Sequence, residues 1–355
     1  MDMEVDIFPI IKILIIAAVA FVIALFSTPI LTHFLYKYKL GKGIRGEGTT
    51  PVFTALHKKK EGTPTMGGIL IWVTVIGLAI IILILTKIFG PDTIFSDYNF
   101  LSRKQTLLPL GVMFFAALIG LIDDFMGISR MGKTGKGLLM RERIIVYTAI
   151  ACVAAYWFYF KLDWDLLHIP FIGDFNIGIW YIPIFIFAIV ASAFSANETD
   201  GLDGLSGGVL LSAFAAYGVI CFQQGRIELA TLCGAIVGAL LAFLWFNIHP
   251  ARFFMGDTGV MALGITLGVI AMLTNTLFFL PLIGFILLIE SLSVIVQVIS
   301  KKIRHKKIFL STPIHHHFEA KGWPETKVTM RFWIISGVMT VIGLILFFID
   351  SNLIK

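Results

Sequence analysis

Four short polar blocks have the residue types and spacing to carry out chemistry in a chain that is otherwise largely apolar. They contain paired or glycine-flanked carboxylates and three consecutive histidines, and in chain order they are Asp123-Asp124, segment 197–203, segment 256–259 and His315-His316-His317. Carboxylates could bind a divalent metal or transfer protons, and histidines could hydrogen-bond to phosphate or sugar oxygens. An even number of apolar stretches separates successive blocks, which predicts that all four lie on one face of a membrane. The pattern favours a membrane enzyme with an interfacial active site.

Asp123 and Asp124 are adjacent carboxylates at the end of the third apolar stretch. A helix C-terminus carries the negative end of the helix dipole, and neighbouring carboxylates also repel each other, so this position is unfavourable for two acids. A bound divalent cation would offset both the unfavourable helix dipole and the repulsion between the two carboxylates. We interpret the pair as a metal-binding or proton-transfer site, with a solvated interfacial pair as the structural alternative.

The remaining carboxylates have stronger structural alternatives. Asp200 and Asp203 precede the sixth apolar stretch, where they could cap a helix as readily as contact a ligand. Asp257 could cap the eighth stretch in the same way. A glycine-flanked acid followed by threonine also suits a magnesium–phosphate contact, because magnesium takes few protein carboxylates and leaves positions for phosphate oxygens. The residues alone leave both interpretations open.

The histidine block and the lysine block each have two interpretations as well. Three adjacent histidines at 315–317 cannot all face one metal, so hydrogen bonding to phosphate or sugar is a better hypothesis than a zinc site, and a polar surface loop is the alternative. Lysines 58–60 stand before the glycine- and threonine-rich segment 62–68, at the start of the second apolar stretch. They are either ordinary membrane anchors or part of an anion site.

The elements that must position these blocks are predicted to be membrane helices. The chain of 355 residues is 58% hydrophobic and 14% charged, with a mean hydropathy of +0.92, far more apolar than a typical soluble domain. A spanning helix needs about 20 apolar residues. Ten such stretches predict one all-α polytopic domain over residues 1–355 with a cytoplasmic active-site cleft. The stretches lie at about 10–35, 67–87, 107–122, 144–160, 178–194, 207–223, 228–246, 259–275, 278–299 and 332–350. Segment 161–177 predicts a short external β-hairpin around a Gly-Asp turn.

The distribution of basic residues predicts the orientation. Most of the 28 Lys and Arg residues lie in loops that follow odd-numbered stretches. By the positive-inside rule these loops are cytoplasmic, both termini are external, and all four polar blocks face the cytoplasm. Anionic lipid headgroups explain the net charge of +6 more simply than nucleic acid does, so no nucleic-acid partner is expected. A secondary transporter is disfavoured, because Glu290 is the single mid-span acid candidate and transporters place ionisable groups near the midplane.

Five motifs in a fixed order carry a family resemblance. GTPTMGG (62–68), DD (123–124), NxTDGLDG (197–204), FMGDTG (254–259) and PIHHHFE (313–319) together closely resemble the phospho-N-acetylmuramoyl-pentapeptide transferase family over essentially the whole chain. The resemblance implies transfer of phospho-N-acetylmuramoyl pentapeptide from UDP-N-acetylmuramoyl pentapeptide to undecaprenyl phosphate, which forms lipid I and releases UMP. It also implies a Mg²⁺ cofactor and a homodimer of ten-helix subunits in the bacterial cytoplasmic (inner) membrane. A sibling polyprenyl-phosphate N-acetylglucosamine-1-phosphate transferase is the alternative.

The resemblance also implies residue roles. Asp257 corresponds to the magnesium ligand, Asp123 and Asp124 to the acids that deprotonate or position the lipid phosphate, and Phe254 to the uracil side of the site. The polar lining would comprise Lys60, Thr65, Asn197, Asp200, Asp203, Asn247, His315, His316 and His317.

The chain departs from the family pattern at two places. Residue 198 is Glu where the family usually has an apolar residue. Segment 126–133 has fewer basic residues than the family leads us to expect, and Arg141 and Arg143 are the candidates to supply that charge instead.

Overall fold

The computed structural model describes residues 7–41, 60, 62–102, 105–132 and 137–353. Within these ranges, eight helices are long and apolar enough to cross a membrane. They are α1 (Phe8–Lys37), α2 (Ile69–Phe89), α4 (Leu107–Ile128), α5 (Met140–Lys161), α6 (Tyr181–Thr199), α7 (Leu205–Gln223), α8 (Ile227–Asn247) and α13 (Glu325–Leu353). A short helix, α3 (Ile94–Tyr98), follows α2.

The ninth predicted span is broken. The short helix α10 (Leu280–Ile283) and the longer α11 (Phe285–Arg304) meet at Gly284 with a bend of 87°. A glycine at this junction imposes no side chain on the turn between the two axes. The sequence predicted one continuous stretch here, because both segments are apolar and composition does not reveal a change in axis direction.

The eighth predicted span forms α9 (Asp257–Leu273), which is shorter than the others and buried along its whole length. Its 17 residues extend about 26 Å, less than the roughly 30 Å of a bilayer core. The helix packs against α4 and α6, so protein rather than lipid surrounds it. All ten predicted stretches therefore correspond to helical segments, and the all-α membrane class is confirmed.

The predicted hairpin is also present. Strands β1 (Leu166–Ile169) and β2 (Gly173–Asn176) pair antiparallel, with Leu166 opposite Asn176. The predicted position of its turn was wrong, because Gly173 begins β2 and the chain reverses at 170–172. Phe171 takes a left-handed φ of 64°, which is unusual for a bulky residue, and its N–H donates to Asp350 at 2.6 Å. This tertiary bond supports a turn that the local sequence does not favour.

Glycines bring the start of α2 against the start of α9. A Cβ placed on Gly68 would lie 2.3 Å from the Cα of Gly259, so neither position accepts a side chain. The N–H groups of Gly67 and Gly68 donate to the carbonyls of Phe254 and Met255, both at 2.8 Å. The GTPTMGG segment is thereby pinned to the segment that leads into Asp257.

Candidate active site

The centre of the site is a network around one arginine. Arg143, in the first turn of α5, places its guanidinium 2.9 Å from Asp123 and 2.9 Å from Asp257. It also donates to the side-chain oxygen of Asn197 at 3.0 Å, while the Asn197 amide donates to Asp257 at 2.9 Å. These four residues, here called the Arg143 network, come from α4, α5, α6 and α9. Four helix ends that are distant in sequence thus meet at one point on one face of the bundle.

Asp123 and Asp124 are completely buried, so the alternative of a solvated interfacial pair is wrong. Helix α4 continues to Ile128, beyond the predicted end of the third span, and carries both acids into contact with other segments. Asp123 accepts the N–H of Leu138 at 2.6 Å, and Asp124 accepts the N–H of Thr258 at 3.0 Å. Backbone N–H groups therefore compensate part of the unfavourable burial of these carboxylates.

The close approach of α4 to α9 depends on two glycines. A Cβ on Gly120 would lie 2.4 Å from the backbone oxygen of Asp257. A Cβ on Gly256 would lie 2.6 Å from a carboxylate oxygen of Asp124, and Gly256 also has a φ of 74°. Side chains at either position would push the carboxylates apart.

Helix capping does not explain the other acids. The N-cap of α9 is Gly256, no side chain caps the helix, and Asp257 instead turns its carboxylate to Arg143. The N-cap of α7 is Gly204, again without a side-chain cap. Asp200 accepts the Ser206 hydroxyl at 2.7 Å and the Gly256 N–H at 3.3 Å, which ties its loop to the segment before Asp257.

A second network surrounds Lys60. Its ammonium lies 2.6 Å from Asp203 and is also paired with Glu325 at the start of α13. The His249 Nδ1 donates to the same Asp203 carboxylate at 2.9 Å. We call these four residues the Lys60 network. Burial alone would raise the pKa of Asp203, but the Lys60 charge and the hydrogen bonds outweigh it, and the net pKa is lowered.

Three further predicted residues lie between or beside these networks. The Lys60 ammonium is 5.7 Å from the centre of the Phe254 ring, a cation–π distance. Thr65 is buried close to Gly256, where an added Cβ would meet its hydroxyl at 2.5 Å. Asn247 accepts the Gly204 N–H at 3.0 Å and donates to the Phe253 carbonyl at 2.8 Å. The oxygen and the nitrogen of this buried amide thus each bind a backbone group. Asn247 therefore holds the loop at Gly204 and the loop at Phe253 in position.

The three histidines diverge, as expected for adjacent residues. They lie on α12 (Ile314–Ala320), with His315 buried 3.0 Å from Glu290 and with its ring packed against Gly201. His316 hydrogen-bonds to Glu319 at 2.7 Å. His317 accepts the Leu310 N–H at 3.1 Å and so contacts the loop before α12 rather than either network.

Burial lowers the pKa of His317, and nearby Lys321 lowers it further. We therefore expect His317 to be neutral near pH 7, since its shift is away from the ordinary value of 6.5 toward lower pH.

Most residues of the site lie in motifs that the sequence shows, whereas some of their partners do not. The sequence offers two basic candidates for the centre of the site. Arg143 is one of them, and the structure places it, through four contacts, at the centre of the network. The sequence shows no partner for Glu290, and the structure supplies His315. His249 and Glu325 were missed, because each is a single polar residue outside the recognised motifs. The HPAR segment just before FMGDTG was the one available signal for His249.

The oxygen groups of the Arg143 network have the chemistry of a magnesium site. Asp257 and Asp123 contribute carboxylates from two helices, and Asn197 contributes an amide oxygen beside them. Hard oxygen ligands of this kind suit magnesium, which takes one or two carboxylates and leaves positions for substrate phosphate. The donor set therefore fits the ion implied by the resemblance.

Comparison with known proteins gives the family. The Glycosyl transferase family 4 model matches residues 106–275, and phospho-N-acetylmuramoyl-pentapeptide-transferase signature 1 matches residues 60–71. The transferase of that name from Chloroflexus aggregans is 38% identical over 344 residues, covering 93% of this chain and 88% of the relative. The one from Listeria welshimeri is 40% identical and covers 92% of this chain and 95% of the relative. The chain belongs to the phospho-N-acetylmuramoyl-pentapeptide-transferase family.

The family matches cover both of the glycine-rich segments that meet in the structure. The matched signature contains Lys60, Thr65, Gly67 and Gly68, which contact the segment before Asp257 through side chain or backbone. The wider family match spans α4 to α9 and so includes the whole Arg143 network. Neither the sibling transferase nor the transporter hypothesis is favoured by these matches.

Proposed function

We propose that this protein transfers phospho-N-acetylmuramoyl pentapeptide from UDP-N-acetylmuramoyl pentapeptide to undecaprenyl phosphate, forming lipid I and UMP. The convergence of Asp123, Asp257, Asn197 and Arg143 at one point carries the proposal. Two anions must meet in this reaction, and a site that alternates carboxylates with a partly buried cation can hold a metal–diphosphate while keeping the second phosphate close. Family membership gives the substrate class.

The reaction exchanges one phosphoanhydride for another. An oxygen of undecaprenyl phosphate attacks the sugar-linked phosphorus of the donor, and the bond from that phosphorus to the UMP oxygen breaks. UMP leaves with the electron pair, so no oxidant or net proton source is required. Because the bonds formed and broken are alike, catalysis consists mainly of positioning two anions and stabilising the charge on the transferring group.

The Arg143 guanidinium supplies fixed positive charge at the point of transfer. It is held by two carboxylates and an amide, so it needs little reorganisation when charge develops. Asp123 accepts both the Arg143 guanidinium and the Leu138 N–H, which favours a role in positioning over nucleophilic attack. Asp124, bonded to the Thr258 N–H, holds the start of α9 and hence Asp257 in place.

The Lys60 network is proposed to receive the uridine end of the donor. Phe254 offers a ring face for a base, with the Lys60 ammonium 5.7 Å from its centre. Asp203 and Glu325 fix Lys60 from two sides, so the amine is directed rather than free to rotate. His315, paired with Glu290 and packed on Gly201 of the TDGLDG loop, would hold this loop in position beside the donor.

We further propose that Asp257, with Asp123 and Asn197 beside it, holds Mg²⁺. When bound, the ion would neutralise the diphosphate and stabilise the UMP leaving group. The Arg143 contact to Asp257 would then be shared with the ion, while its contacts to Asp123 and Asn197 can persist.

We also propose that the active-site face is cytoplasmic, that both termini are external and that the protein is a homodimer in the bacterial inner membrane. The orientation is supported by the excess of Lys and Arg in loops on this face. A cytoplasmic site also matches the water-soluble UDP-linked donor. Cysteine-accessibility labelling from either side of sealed vesicles would test the orientation, and labelling of position 39 from the outer side would contradict it.

The activity is tested by UMP release from purified protein in detergent with undecaprenyl phosphate and UDP-N-acetylmuramoyl pentapeptide, with and without Mg²⁺. Magnesium-dependent UMP release matched by an equal amount of lipid-linked product is the expected result. Release with UDP-N-acetylglucosamine but not with the muramoyl donor would overturn the substrate assignment. Equal release after complete removal of divalent ions would overturn the magnesium assignment.

A further inference from the structure

A cavity lies at the end of α1, on the active-site side of the bundle. Its volume is about 440 Å³, and it is lined by Pro29, Thr32, His33, Tyr36, Lys37 and Arg252. It is separate from the Arg143 and Lys60 networks, whose residues do not line it. Helices α1 and α8 pack tightly against each other further along the bundle, since a Cβ on Gly238 would lie 2.0 Å from the carbonyl oxygen of Ala17.

Two cations from different elements face this cavity without an acidic partner. Lys37 is in the last turn of α1, and Arg252 is in the loop that leads into Asp257. Each cation lies over an aromatic ring, Lys37 at 5.7 Å from the centre of Tyr38 and Arg252 at 5.5 Å from the centre of Phe246. No carboxylate of the described residues pairs with either one. Among the residues that the structure describes, the cavity therefore presents two cations without a carboxylate beside them.

The two elements are joined so that the cations stay together. The Tyr36 hydroxyl donates to the Arg252 carbonyl at 2.8 Å, and the Arg252 N–H donates to the Phe246 carbonyl at 2.9 Å. Both backbone groups of Arg252 are thus fixed. A bound anion would meet an arginine whose loop is already ordered, and less entropy would be lost on binding.

The flanks of the cavity are apolar and exposed. Ile30 and Phe34 on α1, together with Trp245 and Ile248 at the end of α8, are all large side chains open to the surroundings. In a membrane protein such side chains face acyl chains, whereas basic residues at helix ends lie at headgroup level. A ligand that fits both parts has a phosphate group joined to hydrocarbon tails.

We propose that this cavity binds the headgroup of an anionic phospholipid from the leaflet on the active-site side, with its acyl chains lying along α1 and α8. Free phosphate shares the headgroup chemistry but would leave the apolar flanks unused. Each basic residue near an anionic surface contributes about 1 kcal/mol, which corresponds to about fivefold in affinity. Lys37 and Arg252 together therefore strengthen binding about 25-fold.

The test is native mass spectrometry of the full-length protein in neutral detergent micelles, titrated with palmitoyl-oleoyl phosphatidylglycerol. Palmitoyl-oleoyl phosphatidylcholine has the same tails without net charge and is expected to bind more weakly. Lys37→Gln with Arg252→Gln should weaken phosphatidylglycerol binding about 25-fold, and Lys37→Gln alone about fivefold. The single variant keeps the test valid if the double variant does not fold, since Lys37 is exposed.

The matched control is Lys301→Gln with Lys302→Gln, which removes the same charge from two exposed residues at the end of α11. Its phosphatidylglycerol binding is expected to stay within about twofold of the wild type. Equal losses in both double variants would show diffuse attraction and overturn the site. Equal binding of phosphatidylcholine would overturn the requirement for an anion. Competition by glycerol 3-phosphate at the same concentration as the lipid would overturn the lipid as the ligand.

Discussion

The Arg143 network and a network around His168 lie at opposite ends of the helix bundle. The two resemble each other in geometry and differ in what they join. Helix α13, 29 residues and about 43 Å long, begins at Glu325 in the Lys60 network and ends near Asp350 on the other face. There, His168 of β1 contacts Asp174 at 2.8 Å and Asp350 at 2.7 Å. We call these three residues the His168 network, and its distances match those of the Arg143 network.

The His168 network fastens a hairpin. Both His168 ring nitrogens and both Asp350 carboxylate oxygens are engaged within the protein, since Phe171 donates its N–H to Asp350. The backbone N–H of His168 donates to the side-chain oxygen of Asn275 at 2.9 Å. This bond connects the hairpin to the loop after α9 as well. The Asp174 contact joins the two strands of the hairpin, and the Asp350 and Asn275 contacts join the hairpin to α13 and to the loop after α9, as expected of a structural network.

The Arg143 network instead holds four helix ends together through charged groups. Apolar residues could have packed the same helix ends at lower cost. Buried carboxylates are expensive, and small glycines at 120 and 256 keep backbone pressed against them. Similar distances therefore do not distinguish a functional network from a structural one. The distinction lies in what the contacts hold: the His168 network fastens a hairpin to the bundle, whereas the Arg143 network brings buried carboxylates from separate motifs around one point.

The largest effect is expected at Asp257. Asp257→Asn keeps the shape but removes the charge that faces Arg143 and the proposed magnesium, so activity should fall about 100- to 1,000-fold. UMP release measures it. Asp350→Asn, the equivalent change in the His168 network, is the control and should leave activity within about threefold. Comparable losses in both variants would remove the functional distinction between the two networks.

Arg143 sharpens the comparison by separating charge from geometry. Arg143→Gln should lower kcat about 100-fold, because it leaves two buried carboxylates without their shared cation. Arg143→Lys retains the charge but loses the planar fork that reaches both acids, and a loss of about tenfold is expected. Identical rates for the two variants would argue that charge plays no part.

Glu325 tests whether the Lys60 network acts in donor binding. Glu325→Gln removes one of two carboxylates that direct the Lys60 ammonium. The KM for the UDP-linked donor should rise about threefold while kcat changes little, since Asp203 still holds Lys60. A fall in kcat without a change in KM would place Lys60 at the chemical step instead.

The smallest effect on activity is expected at His168, where stability should change instead. His168→Gln removes one of the two hydrogen bonds from the hairpin to Asp350 of α13 and should reduce the free energy of unfolding by about 1–3 kcal/mol. The thermal midpoint in detergent measures it, with UMP release as the companion readout. Unchanged stability would show that the His168 ring contributes nothing to holding the hairpin.

The pH dependence of that stability has a definite sign. Burial alone would lower the pKa of His168, but the hydrogen bonds to Asp350 and Asp174 outweigh it, and the net pKa is raised. A raised pKa stabilises the fold fully below the ordinary value of 6.5, and the contribution is lost as pH rises through the folded-state pKa. The difference in midpoint between wild type and His168→Gln should therefore be larger at about pH 6 than at about pH 9.

Much of the site could be predicted from the sequence because its residues lie in compact motifs. Asp123, Asp257 and Asn197 were all named, and the even number of apolar stretches correctly placed their blocks together. The motifs could not show which groups would touch. Arg141 and Arg143 are equal candidates in the sequence. Only the orientation of α5 brings Arg143 to the carboxylates.

By itself, the sequence determined the membrane class, the ten helical segments, the common face of the polar blocks and the family. Those properties follow from local composition, spacing and motif order, which need no three-dimensional contacts. The tertiary structure decided the break at Gly284, the burial of Asp124, the His315–Glu290 pair and the position of the hairpin turn. Each depends on contacts between segments far apart in the chain, and hydrophobic periodicity carries no information about which partner a helix end will meet.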